Sequence, residues 1–217
     1  MPTATANGLP VLRAEVVETY QGNWVAALDV DSNEVLSGAL ELVIGEITWR
    51  GTIVPGRSGL DGGHVRVIVE GGAGGLRQEL GCRFFSEPTL ETLVADLMRE
   101  TGETAASDSD DLRTFVYPRW LRTACWAAGS LTTMCDVAGL TWRMKRDGTL
   151  WVGKDTWPEV KPQATEILPL PGIAAHVFAV PSPELRPGTT FRGERISTAL
   201  TQVGPSALRQ EVWIAGT

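Results

Sequence analysis

The stretch Ala138-Gly139-Leu140-Thr141-Trp142-Arg143-Met144-Lys145-Arg146-Asp147-Gly148-Thr149-Leu150-Trp151-Val152-Gly153 decides how the chain is read. Gly139 can take the left-handed backbone that ends a helix. Trp142 and Met144 then share one face of a strand, and Leu150 and Val152 share one face of the next. Between them, Asp147-Gly148 is the sequence signal for a two-residue hairpin turn, because glycine supplies a positive φ without steric cost. Helix end, strand, turn and strand predict packed β structure. Asp147 and Gly148 are read as structural turn residues, with no catalytic role.

Upstream of the hairpin, Val11 to Phe85 is strand-like. Leu40, Leu42 and Ile44 share one face of a short strand, and Val65, Val67 and Val69 share one face of another. Turn residues recur every eight to twelve positions, the spacing of a barrel or sandwich. The period then changes. Leu90, Leu93, Val94, Leu97 and Met98 fall at helical spacing, with Thr89 as N-cap, Glu91 in the first turn and Gly102 as the stop. Glu103 to Asp111 is polar and acidic and reads as a loop. A second helix is expected from about Trp120 to Ala138, with Leu121, Cys125, Ala128, Leu131, Cys135 and Ala138 on one face. Beyond the hairpin the chain is rich in proline, yet 174–180, 189–201 and 209–214 are β-like. The expected fold is α+β and mainly β: two small β-barrel-like regions with two intervening α-helices. The expected division is a mobile N-terminus (1–10), a first β-barrel region (11–88), a helical region (89–139) and a second β-barrel region (140–217).

The chain has 217 residues, 43% hydrophobic and 21% charged, as in an ordinary globular protein. Its net charge of −7, with a pI near 4.9, argues against gripping nucleic acid through phosphates, which needs a basic stripe. Like charge still lets nucleic acid slide past. Cys82, Cys125 and Cys135 form no CxxC pair, so a reducing compartment is expected, not a disulfide framework. The N-terminus lacks a basic region followed by an apolar core, and no apolar run approaches a membrane span. A soluble protein made in the cytosol is expected.

Residues that could carry chemistry are few. The glycines at 71, 72, 74 and 75 lead into Leu76-Arg77-Gln78-Glu79, not Lys-Ser/Thr and not a helix, so they read as a hairpin loop or sheet corner. His64 and His176 stand alone in sequence, and Cys125 and Cys135 read as small buried hydrophobes. No metal site and no cofactor are expected. No nucleophile elbow is present; Asp108, Asp110 and Asp111 read as a solvated acidic turn, and Glu15 and Glu18 are the remaining carboxylates that could flank a cleft. No catalytic residue is nominated. The chain carries eight tryptophans against two tyrosines. Trp49, Trp142 and Trp151 lie in strand patterns and read as core, whereas Trp24, Trp157 and Trp213 are candidate interface residues, since tryptophan is enriched at anchor positions.

The order of these parts carries a resemblance. After the first β region comes Pro88-Thr89-Leu90-Glu91-Thr92-Leu93-Val94-Ala95-Asp96-Leu97, then Tyr117-Pro118-Arg119-Trp120, then the hairpin. Later come Leu185-Arg186-Pro187-Gly188-Thr189-Thr190-Phe191-Arg192-Gly193-Glu194-Arg195-Ile196 and Ala207-Leu208-Arg209-Gln210-Glu211-Val212-Trp213. From about Trp24 onward this resembles the tail baseplate hub proteins of phages and related contractile injection machines, the family of the phage late control protein D and the hub part of the VgrG spike. The chain is shorter than most such hubs and shows no needle or lysozyme extension, so the resemblance leaves open a whole hub, a reduced hub or another tail-tip protein built on the same barrels. The resemblance implies a structural protein of the virion tail, made in the bacterial host cytoplasm. It would form a ring, usually a homotrimer, that joins the tail tube or a distal tail protein to a spike or needle. DNA would pass through without specific binding. A small cell-wall-degrading tail hydrolase, or a host-binding barrel, is the competing reading.

Overall fold

The computed structural model describes residues 4–163, 165–169, 175–204 and 208–215. In chain order it begins with β1 (Ala4–Ala6), β2 (Leu9–Thr19), β3 (Val25–Val30), β4 (Ala39–Ile44), β5 (Ile47–Asp61) and β6 (His64–Gly71). The short β7 (Glu79–Leu80) and β8 (Arg83–Ser86) lead to helix α1 (Leu90–Thr101). Then come β9 (Arg119–Arg122), β10 (Cys125–Trp126), helix α2 (Ala127–Ala138) and the hairpin of β11 (Thr141–Met144) and β12 (Leu150–Gly153). The last strands are β13 (Glu166–Pro169), β14 (Ala175–Phe178), β15 (Thr190–Phe191), β16 (Glu194–Val203) and β17 (Leu208–Ile214). The fold is mainly β with two α-helices, as the patterning predicts.

Alternation gives the first strands one apolar face, which must be covered. Leu40, Leu42, Ile44, Val65, Val67 and Val69 are all buried, with Ala14, Val16, Ala26, Leu28 and Val30. The sheet covers that face by closing on itself. The order β1-β4-β5-β6-β3-β2 returns to its start because β1 also pairs with β2. Closure therefore rests on residues 4–6, in the segment expected to be mobile. Asn7 and Gly8 join the two strands with φ of 50 and 80°, the paired positive angles that an Asn-Gly hairpin turn needs. Small side chains at positions 4, 6, 14 and 26 leave interior room for Trp49 and Trp24, which are 0% and 2% exposed. Trp24 lies over Gly51 and Gly71, where any Cβ would run into its ring.

The second β region grows out of the first. β2 pairs with β3 on one flank, and on the other with β1 near its start and with β16 over 14–19. From β16 the sheet continues through β17 and β14 to β13. The interior row of the barrel runs on in register, Val16–Thr201–Gln210–Phe178. A separate core of Phe178, Leu185, Phe191, Ile196, Ala199 and Val212 forms on that face.

Helix α1 matches its expected bounds. The Thr89 hydroxyl accepts from the Thr92 amide at 3.1 Å, and Gly102, at φ 74°, donates its amide to the Met98 carbonyl. Helix α2 starts at Ala127, not near Trp120. Arg119-Trp120-Leu121-Arg122 instead pairs as β9 with β8, so Trp120 and Arg122 turn inward and Leu121 outward, 64% exposed. A short apolar run fits either period, and an available partner strand decides. Cys125 consequently sits in β10, away from the helix face, while Cys135 is buried on α2. The β11–β12 hairpin packs into the barrel's core through Trp142, Met144, Leu150 and Val152.

The hairpin loop has three residues between the Lys145–Thr149 pair, not two. The Gly148 amide donates to the Lys145 carbonyl at 3.0 Å with Gly148 at φ 80°, while Asp147 keeps a negative φ. The Asp147 carboxylate accepts from the Thr149 amide and hydroxyl at 3.0 and 2.6 Å. Burial pushes that carboxyl's pKa up, but Thr149, Lys145 and Arg50 together hold it below the usual range. A Cβ on Gly148 would lie 3.1 Å from the Arg50 carbonyl, so the loop needs glycine for conformation and for contact. Gly148→Val is expected to destabilise the protein by about 2–3 kcal/mol. Gly148→Asn should cost less, because asparagine tolerates the left-handed region. Denaturant midpoints at unchanged slope check this, and equal midpoints for Val and wild type would refute it.

Candidate functional site

Three segments singled out in the sequence meet in space: the hairpin loop, the Arg186-Pro187-Gly188 loop and the end of β2. Arginines join them. Arg143 on β11 donates to both oxygens of Asp155 at 2.8 and 2.6 Å and lies 4.1 Å from the Trp151 ring centre. Gly188, at φ 87°, rests on this pair so closely that a Cβ would strike both partners. Arg146 donates to both oxygens of the largely buried Glu18 at 2.7 and 2.8 Å and to the Pro183 carbonyl at 2.9 Å. Fork-to-carboxylate pairing of this kind fixes orientation as well as charge.

The loop backbone is also tied to the barrel. The Trp24 indole donates to the Lys145 carbonyl at 3.2 Å, and the Arg50 amide donates to the Arg146 carbonyl at 2.7 Å. Lys145 reaches both oxygens of Asp108 at 3.0 and 3.1 Å. On the far side, the buried Gln210 of β17 accepts from the Ser182 amide and donates to the Leu185 carbonyl, at 2.8 and 2.9 Å. Arg186 projects into a cleft of about 410 Å³ that it shares with Arg50, Lys145, Arg146, Glu41 and Asp147. Burial, Arg146 and Arg143 push its guanidinium's pKa down, against the opposing pull of Glu18 and Asp108.

Glu15 and Glu18 point to opposite faces of β2, so they flank no common cleft. Asp110 accepts from the Lys154 amide and Asp111 from the Arg113 amide, so the acidic turn caps backbone. The glycine loop holds a carboxylate of the protein itself: the Ala73 and Gly75 amides donate to Glu103, both at 2.9 Å. Burial pushes the neighbouring Glu70 carboxyl up to about 6, with Arg77 opposing and Glu103 adding to the rise. Burial and Asp136 push the Cys135 thiol up to about 12, so it stays protonated. Trp24 is interior and forms part of the junction. Trp157 stacks on Tyr20 with ring centres 4.8 Å apart, and Trp213 lies apart on β17, 40% exposed. The residues of this junction that sequence reading passed over are Arg143, Arg146 and Arg186. No local signal marks them, because a lone arginine in a hairpin or loop reads as a surface charge until its partner is placed.

A second polar cluster lies on β14. His176 faces Glu166 of β13 through Nδ1 at 2.7 Å and Glu194 of β16 through Nε2 at 3.0 Å, while Arg192 reaches the other Glu166 oxygen at 2.8 Å. Burial lowers the pKa of His176, but the two carboxylates outweigh it and raise the net value above the ordinary one.

No family model matches the sequence, and no curated protein matches it either. Solved structures share its fold. An Escherichia coli component of the type VI secretion system, itself described as similar to the T4 bacteriophage tail proteins gp27 and gp5, superposes with a TM-score of 0.73 at 11% identity. That match covers 99% of this chain and 76% of the other. The 43 kDa tail protein of prophage MuSo2 from Shewanella oneidensis gives 0.74 at 10% identity over 98% and 96% of the two chains. A tail protein of Neisseria meningitidis MC58 gives 0.66 at 11% identity over 98% and 95%. The chain therefore has the fold of phage-type tail proteins.

Arg146→Ala leaves Glu18 charged and largely buried without its partner, which is expected to cost about 3–5 kcal/mol. Combining Arg146→Met with Glu18→Gln should recover most of that loss, as equilibrium unfolding of single and double variants will show. For His176, a raised folded pKa means that its contribution is complete below pH 6.5 and fades as pH rises through the folded value. The destabilisation by His176→Gln should thus be larger at pH 6 than at pH 9; equal losses would exclude the charged pairing.

Proposed function

We propose that this protein is a structural subunit of a phage-type tail, acting as a whole or reduced baseplate hub. In this reading it assembles into a closed ring, a trimer, between tail tube and spike. The observation that carries the reading is the fold shared with tail proteins over nearly the whole chain. The order of the hub-like motifs agrees with it, and three of them, the hairpin, the Arg186 loop and the strand of Gln210, meet in the arginine junction. No catalytic step is proposed; the protein works by shape and by the surfaces it offers.

Those surfaces can be named. The barrel is filled by its own side chains, with Leu28, Leu42 and Trp49 at 1% exposure or less, so a DNA path would run between subunits, not through a barrel. The outer face of the continuous sheet carries an apolar row in register, Val25–Val17–Leu200, resumed at Val177 beyond Glu211. On the two-stranded β8–β9 ribbon, Phe84 stands opposite Leu121, 61% and 64% exposed. Solvated strands have no need of such pairs, whereas a subunit contact buries them.

Native mass spectrometry of the full chain, alone and with tail-tube and spike proteins, tests the proposal. A ring of fixed copy number is expected. Phe84→Glu with Leu121→Glu should weaken assembly at least tenfold while monomer stability changes by less than about 0.5 kcal/mol. A monomer that remains single with all partners present would overturn it.

A further inference from the structure

We propose that the cleft between the hairpin loop and the Arg186 loop is an oxyanion site that receives a carboxylate side chain from an acidic segment of a neighbouring protein subunit. Among the described residues, the carboxylates in and around the cleft are paired with groups other than Arg186, although one oxygen each of Glu41 and Asp147 has no hydrogen-bond partner. Both oxygens of Glu18 are taken by Arg146, both of Asp155 by Arg143 and both of Asp108 by Lys145. Glu41 pairs with Arg50 at 3.0 Å, and Asp147 is held by Thr149. Among the described residues the Arg186 guanidinium has no hydrogen-bond or ion-pair partner. The cleft lining has four cationic side chains against two acidic ones, in a protein whose net charge is −7.

The arginine is also held in place for binding. Its carbonyl accepts from the Thr189 hydroxyl at 2.7 Å, the Leu185 carbonyl before it accepts from Gln210, and Gly188 after it is seated on the Arg143–Asp155 pair. A fixed backbone on both sides reduces the entropy lost when the fork closes on a ligand. Burial, and after it the charges of Arg146 and Arg143, press on this guanidinium, and an incoming anion would relieve the charge part of that pressure. A carboxylate is the ligand that the surroundings favour. Each neighbouring cation already binds one, and the fork geometry matches it. A nucleic-acid backbone would need cations spread along a track, whereas Arg50, Lys145, Arg146 and Arg186 meet in one cleft of a protein whose net charge is −7. The inference rests on the tail reading only for the neighbour's identity, since binding is measured on the isolated full chain.

Titration calorimetry with a hexaglutamate peptide, and separately with inorganic phosphate, tests it at low salt. The peptide is expected to bind wild type, at least fivefold more weakly to Arg186→Gln, and unchanged to Arg209→Gln, a control on β17. Arg186→Lys, which keeps charge but not the fork, should fall between. Circular dichroism confirms that each variant is folded, and Arg186→Lys serves if Arg186→Gln is not. No peptide binding to wild type, or equal binding to wild type and the folded Arg186 variant, overturns the site. Tighter binding of phosphate than of peptide at this cleft overturns the carboxylate assignment. A ring that assembles without peptide binding would refute the cleft alone and leave the tail reading standing.

Discussion

The structure depends on β2 being paired along both flanks. Its first residues close the barrel against β1, its last six hold β16, and β3 runs along the other side. A strand used this way cannot slip. A shift of one residue would exchange buried Ala14 and Val16 for Arg13 and Glu15, and would break the barrel and the second sheet together. The same register delivers Glu18 to the interior face, where it would be an isolated buried charge without Arg146. Register and ion pair therefore specify each other: the hairpin loop docks only where β2 presents Glu18.

That dependence explains why three separated stretches of sequence belong to one site. The hairpin supplies Arg143 and Arg146, the Arg186-Pro187-Gly188 loop supplies a residue without a Cβ to sit on Arg143–Asp155, and β17 supplies Gln210 to hold that loop. A buried ion pair of this kind is weak evidence for stability, since its desolvation offsets much of the attraction. Its better-attested use is to fix one arrangement among several. In this protein the pair ties the hairpin loop to β2, and the same Arg146 reaches the Pro183 carbonyl of the later loop.

Much of the fold was legible because it follows from period and punctuation. The faces of β4 and β6, the N-cap at Thr89 and the stop at Gly102 are local facts, and the structure keeps them. The misread elements are those that a distant partner decides. Arg119 to Arg122 fits a helix until β8 offers a ladder. Residues 4–6 look too short for an element until β2 and β4 flank them, although Asn7-Gly8 carried the same turn signal that was recognised at Asp147-Gly148. The arginine junction was illegible for a stronger reason. Each cation looks like an ordinary surface charge, and only the tertiary structure brings Arg146 to Glu18 across more than a hundred residues.

The free strand edges argue for how such a molecule meets its neighbours. The continuous sheet ends at β13, a short strand with a register irregularity that closes on Pro169, a residue with no amide to donate. Glu166 on that strand is drawn back to His176 and Arg192. Short length, irregular register, proline and charge are the devices that keep an edge from recruiting another strand. The outer face is built the other way, with Val17, Val25, Leu200 and Val177 aligned across the strands and Trp213 beside them. A sheet guarded at its edge, with an apolar row among the polar residues Glu15, Gln202, Arg209 and Glu211 of its face, is suited to pack face-on against a neighbour. A face-on contact forms a closed assembly when its rotation closes, whereas an open edge recruits strand after strand.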